Sequence, residues 1–340
     1  MSESTVPSLD LGIAADRGTG GELHAGLDIG GSKVSAVVLD GLGQVRAEAR
    51  LVTSMGPDGV VATAVAALTE LGRQLGISPA GLDGVGVGIP GLVDAATGVV
   101  THAVNLGVAA DPLPLGDRLR DWLGVPVEVE NDVNAAALGA AGLTGRRSPD
   151  LAYLSIGTGL AAGLVLAGRL RRGSRGAAGE LGHIPVDPAG PLCGCGQRGC
   201  LETLASGSAI AERWPPGGGE GAARALFTAA ERGDPAAGQV RDIITTYIAA
   251  AVRVLVLTVD VETVVLGGGA AEAGPALLQA VSTALERQAA GSEFLRGLDL
   301  PARLALAPAG QPVAAIGAAL LSRTGRHPRR PAADAPRVAP

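Results

Sequence analysis

One short unit occurs twice in this chain, and it limits the fold more than any other feature. HAGLDIGGSKVSAVVLD (24–40) and DLAYLSIGTGLAAGLVLAGRL (150–170) each read as an apolar strand, a glycine turn and a second apolar strand. A repeated strand–turn–strand unit points to two related α/β halves facing each other. The boundary is expected near residues 135–140. At 340 residues the chain is long enough for two such halves.

The rest of the pattern fits that plan. QVRAEARLV reads as a strand, and 58–76 carries apolar residues at helical spacing. GVGVGIPG is a strand entering a turn, DRLRDWLG a short helix, and VPVEVEND a strand. DVNAAALGAAGL follows as a helix whose first turn starts at an Asn-Asp pair, a good cap signal. Residues 206–259 read as mostly helical, broken by WPPGGGEG; ETVVLGGG is a strand into a glycine turn, 275–290 a helix, ARLALA a strand, and VAAIGAALLS (313–322) a final helix. Residues 1–22 and the Pro/Arg-rich tail 323–340 are expected to be disordered. The tail reads as a solvated terminus rather than a binding arm.

Composition narrows the function. Hydrophobic residues make up 47% of the chain but aromatics only 2%, so the core must be built from Ala, Val, Leu and Ile. The net charge of -6 does not favour a nucleic-acid surface. No apolar run reads as long enough to span a bilayer. The N-terminus lacks a basic start followed by an apolar core, so it is not a secretory signal. Three cysteines, an odd number, do not make a disulfide scaffold. The expectation is a soluble cytoplasmic protein with no membrane or nucleic-acid partner.

Three glycine turns stand at strand ends: Asp28-Ile29-Gly30-Gly31-Ser32-Lys33, Gly157-Thr158-Gly159 and Gly267-Gly268-Gly269. Glycine lets backbone approach a ligand, and its N–H groups can wrap phosphate oxygens. Ser32 and Thr158 add hydroxyl donors, and Asp28 is placed to hold magnesium. None is a Walker loop or a G-x-G-x-x-G fingerprint opening a helix. Singly, each is more often just a hairpin turn; two matched turns and a third glycine run change that balance towards a nucleotide site.

Asp132 lies where the VEVEN strand hands over to a helix. Phosphoryl transfer to an alcohol needs a carboxylate beside the attacking hydroxyl. Asp132 suits that role and equally suits a helix N-cap. Asn131 offers a donor and an acceptor to a sugar hydroxyl.

All three cysteines fall within eight positions. His183, Cys193, Cys195 and Cys200 form H-x9-C-x-C-x4-C, a complete tetrahedral set for a structural zinc. Glu180 and Glu202 flank this loop at 183–200, and paired carboxylates are a usual grip on vicinal sugar hydroxyls.

Here the sequence resembles the ROK family of sugar kinases and sugar-responsive repressors. The matching pieces are LDIGGSK (27–33), GVGIPGLVD (86–94), Asn105-Leu106, VENDVNAAALG (129–139), SIGTGLAAG (155–163), GELGH (179–183), CGCGQRGCLE (193–202) and VVLGGG (264–269), in order over roughly 24–322. The resemblance implies an α/β actin-like ATPase (ribonuclease H-like) fold, with two α/β domains around a cleft. Residues 23–135 would form the first domain, with helix 313–322 packing back on it, and 136–312 the second. ATP would lie on Asp28, Gly30, Gly31, Ser32, Lys33, Gly157, Thr158 and Gly159, with Gly268 and Gly269 near the adenosine. Asp132 becomes the general base. Gly91, Asn105, Asn131, Asp132, Glu180, His183 and Glu202 become substrate contacts, and His183, Cys193, Cys195 and Cys200 the zinc ligands. A homodimer is the family expectation.

Three positions depart from the pattern. Ser32 replaces the commoner Thr and keeps the hydroxyl. Val133 replaces the commoner Ala beside the base. LGVAADPLPLG, after Asn105, lacks the Gly-Trp frequent in glucokinases, so the hexose stays open among glucose, mannose, fructose and N-acetylated hexosamines. ROK repressors carry a winged helix-turn-helix before the first strand; only about 23 residues stand there, too few for a DNA-binding domain. The expectation is therefore an ATP-dependent kinase using Mg2+ and a structural Zn2+, acting on the 6-hydroxyl of a hexose. The alternative is a sugar-binding sensor with little turnover. An actin-like filament protein would leave the zinc loop without a role.

Overall fold

The computed structural model describes residues 21–109, 111–143, 149–215 and 221–324. The segments 1–20 and 325–340 that read as disordered, and 216–220 of the WPPGGGEG break, lie outside the described residues.

Two five-stranded sheets organise the chain. The first contains β1 (Leu23–Ile29), β2 (Lys33–Asp40), β3 (Val45–Val52), β4 (Gly84–Ile89) and β7 (Val127–Asn131), in the order β3-β2-β1-β4-β7. The second contains β8 (Leu151–Ile156), β9 (Leu160–Leu166), β10 (Arg169–Leu170), β11 (Thr263–Gly267) and β12 (Leu304–Leu306), in the order β10-β9-β8-β11-β12. In each, three strands pair antiparallel and two more add on in parallel. The topology is the same, as the repeated unit requires. Parallel neighbours need a crossover, and helices supply it.

In the first half the crossover is α1 (Gly56–Leu75). Pro57 stands in its first turn, Gly76 closes it in the left-handed conformation at φ 68°, and Val60, Ala64, Ala67, Leu68 and Leu71 bury one face against the sheet. That spacing is what 58–76 displayed. A hairpin, β5 (Leu92–Asp94) with β6 (Val99–Thr101), and α2 (Leu115–Leu123) lead to β7. In the second half α4 (Leu201–Ala205), α5 (Gly207–Arg213), α6 (Ala222–Glu231) and α7 (Pro235–Val259) precede β11. α8 (Pro275–Ala289) and α9 (Glu293–Gly297) lead to β12.

The two final helices cross between the sheets. α3 (Asp132–Leu143) follows the last strand of the first sheet, and α10 (Val313–Thr324) follows the last strand of the second. α10 packs on β1, β4 and α3, while α3 also packs on β9 and β8. The position expected for the boundary, 135–140, thus lies inside α3. Both helices are built largely of Ala and Gly, which permits backbone contact. A Cβ at Gly139 would lie 1.9 Å from the Val313 carbonyl oxygen, and one at Gly317 1.7 Å from that of Ala135. No side chain larger than hydrogen fits either position.

Four differences from the sequence reading have local causes. The β5–β6 hairpin is too short to show a period. ARLALA forms a strand only over Leu304–Leu306, because Leu300–Arg303 is a 3-10 turn containing Pro301. The final helix runs on through Thr324 rather than ending at 322. Finally, α7 is long and apolar enough to cross a membrane by length and composition, contrary to the expectation that no run is. Its Ile244, Ile248, Val252, Leu255 and Val256 sit in the core of the second sheet, so its apolar character serves packing.

Candidate functional site

The first glycine turn is braced from two sides. The Gly30 N–H donates to the Lys33 carbonyl at 2.9 Å, closing the hairpin. Thr53 at the end of β3 donates its hydroxyl to the Gly30 carbonyl at 2.7 Å and its N–H to the Ser32 carbonyl at 3.2 Å. Gly31 backs onto Asn105, whose carbonyl oxygen would lie 2.9 Å from a Cβ there. Gly31, Ser32, Lys33 and Asn105 are exposed.

The second turn is tied to the cysteine loop. Gly157 N–H donates to the Gly159 carbonyl at 3.0 Å, and Gly207 N–H donates to the Gly157 carbonyl at 2.7 Å. Glu202, in the helix directly after Cys200, accepts the Leu160 N–H at 3.1 Å through Oε2. That oxygen would lie 2.5 Å from a Cβ on Gly159, so a side chain there would displace the Glu202 carboxylate. Glu202 therefore holds the turn itself, beyond the sugar contact expected of it. Thr158 is exposed at the tip.

At the third turn Gly268 adopts φ 75° and stacks on the backbone of Ile156, while Gly269 begins a 3-10 turn. The Gly268 N–H donates to the Tyr153 hydroxyl at 3.2 Å. Tyr153 is buried on β8, and its ring occupies the space a side chain on Gly267 would need.

At the β7–α3 junction Asn131 and Asp132 share the cap. Asn131 Oδ1 accepts the N–H groups of Val133 and Asn134 at 2.9 and 3.3 Å, and its Nδ2 donates to the Gly91 carbonyl at 3.4 Å. Gly91 has φ 101°. Asp132 Oδ1 accepts the Val133 N–H at 2.9 Å, while the second N–H of the turn, that of Asn134, goes to Asn131.

Asp132 stands in an acidic neighbourhood. Burial raises its pKa above the usual carboxylate range; the N–H groups of Val133 and Asp132 oppose this, and Glu180 adds to it. Asp28 is pushed up to about 7, first by burial and then by Asp132, against the pull of Lys33. Burial also raises the Tyr153 phenol, opposed by the Gly268 N–H and reinforced by Asp28 and Asp132. The fold thus brings Asp28, Asp132, Glu180 and Tyr153 within electrostatic reach of one another. A crowded, partly desolvated set of carboxylates is a site for a cation or for proton transfer.

His183, Cys193, Cys195 and Cys200 converge, with one donor atom of each within 4.8 Å of the others. His183 Nδ1 lies 3.6 Å from Cys193 Sγ, and Cys195 Sγ lies 3.7 Å from Cys200 Sγ. A tetrahedral zinc with bonds of about 2.3 Å would set its sulfur ligands about 3.8 Å apart. The donor set and its spacing fit. Gln197 reinforces the loop, donating to the His183 carbonyl at 3.0 Å and to Cys195 Sγ at 3.4 Å. The Gln197 bonds bring the exposed Cys195 thiol down to about 6, whereas burial pushes Cys200 up to about 12.

The family model for the ROK family matches residues 24–324. The chain belongs to the ROK family. It is 34% identical over 296 residues to a glucokinase of Halalkalibacterium halodurans, covering 80% of this chain and 89% of the relative. It is 33% identical over 242 residues to an N-acetylmannosamine kinase of Yersinia pseudotuberculosis, covering 71% and 81%. It superposes with a TM-score of 0.74 on a ROK family glucokinase from Streptomyces griseus in complex with glucose and AMPPNP, at 31% identity and covering 89% and 100%. The duplicated sheets of this ROK protein are the actin-like ATPase fold.

Sequence reasoning missed Thr53, Tyr153, and the pair Glu130–Arg172. Thr53 directly follows a strand and Tyr153 sits within one, and both strands read as plain sheet. Glu130 follows the outward half of the alternation in VEVEN, yet it is 2% exposed. Nothing in the sequence indicates that Arg172, 42 positions on, meets it.

Proposed function

We propose that this ROK protein is an ATP-dependent sugar kinase that phosphorylates a hexose at its 6-hydroxyl, with Asp132 as general base. The observation that carries the reading is the setting of Asp132. It is a half-buried carboxylate at a strand–helix junction, where Asn131 shares the capping and burial raises its pKa above the usual carboxylate range. A carboxylate raised in this way accepts a proton more readily than an ordinary one.

In this reading Gly91, Asn105, Asn131, Glu180, His183 and Glu202 hold the sugar. The sugar 6-hydroxyl donates its hydrogen bond to Asp132. The O6–phosphorus bond forms as the bond from the γ-phosphorus to the bridging oxygen breaks. The hydroxyl proton passes to Asp132 and ADP leaves. The turns Gly30–Lys33 and Gly157–Gly159 offer N–H and hydroxyl donors to the phosphates, and Gly268 and Gly269 approach the adenosine. Asp28 and its acidic surroundings suit Mg2+, which would neutralise phosphate charge. His183 and the three cysteines would hold Zn2+, which would fix the loop carrying Glu180 and Glu202. The halves 23–135, with 313–322, and 136–312 close over both substrates and exclude water. The protein acts as a cytoplasmic homodimer.

The relatives support a sugar kinase and differ in their sugar, so the hexose is decided by experiment. A coupled ADP-release assay with ATP and Mg2+ across hexoses and N-acetylhexosamines should find sugar-dependent turnover with at least one. Sugar binding without turnover, in folded metal-loaded protein, would instead identify a sensor.

A further inference from the structure

One ion pair ties the two sheets together beside the base. Glu130 closes β7 and is buried. Its Oε1 accepts the Asn131 N–H at 3.0 Å and Asn134 Nδ2 at 2.9 Å, and its Oε2 accepts Arg172 Nε at 2.5 Å. Asn134 belongs to the first turn of α3, the turn that begins with Asp132. Arg172 comes from the other half, just past β10. Its carbonyl accepts the Ala178 N–H at 3.1 Å, closing a loop that turns at Gly173 and Gly176 (φ 77° and 78°) and runs on to Glu180.

The surrounding packing is mostly apolar. Between α3 and the second sheet lie Ala136, Ala137, Ala140, Leu151, Tyr153, Val165 and Val265, and Gly163 of β9 lets the sheet approach the first turns of α3 closely. Such contacts hold the helix against the sheet by shape. A guanidinium–carboxylate pair is directional, and its other oxygen is already committed to α3. For stability alone, apolar residues of equal volume would serve as well.

We infer that Arg172 is a positioning residue for phosphoryl transfer. Through Glu130 it holds the first turn of α3, and with it Asp132, in register with the loop that ends at Glu180. The inference rests on the reading of Asp132 as base and Glu180 as sugar ligand.

Arg172→Gln alone confounds position with folding, because it leaves the Glu130 charge buried and unpaired. The decisive variant is the double Glu130→Gln/Arg172→Gln. Its amide at position 130 can still accept from Asn131 and Asn134, and no charge is stranded. The melting temperature should stay close to that of the native protein. The kcat should fall about 10-fold or more, as misplacement of reacting groups produces, and the sugar Kd should rise a few-fold. The KM for ATP should be unchanged. Arg172→Lys, which keeps the charge, should recover most of the lost kcat.

A stable double variant with native kcat and sugar affinity would overturn the inference. So would parallel losses of melting temperature, kcat and both substrate affinities, which mark a purely structural pair. Absence of turnover in the native protein would instead sink the kinase reading. Calorimetry with the sugar then decides: weakened binding in a stable double variant upholds the positioning role, and unchanged binding refutes it.

Discussion

Replacing Asp28 by Asn should make the ligand-free protein more stable while abolishing its turnover. The carboxyl is raised from 3.8 to about 7, chiefly by burial and by Asp132. Each unit is worth about 1.4 kcal/mol, so roughly three units correspond to about 4 kcal/mol of unfavourable charge above pH 7. Asp28 keeps partial contact with solvent, and reorganisation around the ionised group takes back about half of that cost, leaving about 2 kcal/mol. The sign follows from proton linkage. With a folded pKa above the unfolded one, the folded protein binds more protons between about pH 4 and 7. Its stability therefore falls as pH rises through that window. Asn carries no such penalty. At 2–4 °C per kcal/mol, the variant should melt about 4 °C or more above the native protein at pH 8. The gap should close towards pH 4. Differential scanning calorimetry without nucleotide at pH 4, 6 and 8 measures this directly. Equal melting temperatures at pH 8, or a gap that does not change with pH, would refute the reasoning. Retained turnover would separately remove Asp28 from the nucleotide site.

Three further outcomes follow from the same geometry. Cys195→Ser should lose the bound metal, measured by elemental analysis, and weaken sugar binding; native affinity without metal would refute the structural role of the loop. On the acid side kcat should fall about tenfold per unit, with an apparent pKa above the ordinary carboxylate range because Asp132 is raised by burial; a limb near pH 4 would contradict that shift. Tyr153→Phe should raise the KM for ATP about fivefold, the worth of one lost hydrogen bond to Gly268, with the sugar KM unchanged; equal changes in both would mean that the ring serves packing only.

Much of this architecture is legible from the chain. The two β1–β2 and β8–β9 units show because each strand is a continuous apolar run ending in glycines. The cysteine loop shows because four potential metal donors lie within eighteen positions, and local chain geometry brings them together. The junction at Asp132 shows because an Asn-Asp pair separates a strand from a helix. How the two share the cap does not; only the geometry gives the Val133 N–H to both and the Asn134 N–H to Asn131. Contacts between distant segments are not legible. Glu130 and Arg172 carry no local signal, and neither does the crossing of α3 and α10. Its glycines, Gly139 and Gly317, sit inside runs that read as helix, and the reason they must be glycine appears only with the opposing backbone. Glu202 reads as a sugar ligand, but its bond to the Leu160 N–H appears only once the loop is folded onto the second turn.

The central claim is that Asp132 takes the proton from the sugar hydroxyl during phosphoryl transfer. Its most direct test is Asp132→Asn, with kcat and the calorimetric sugar Kd measured on the same preparation. The account predicts that kcat falls by about 10²-fold or more while the sugar Kd stays nearly unchanged. A variant that turns over like the native protein would contradict it.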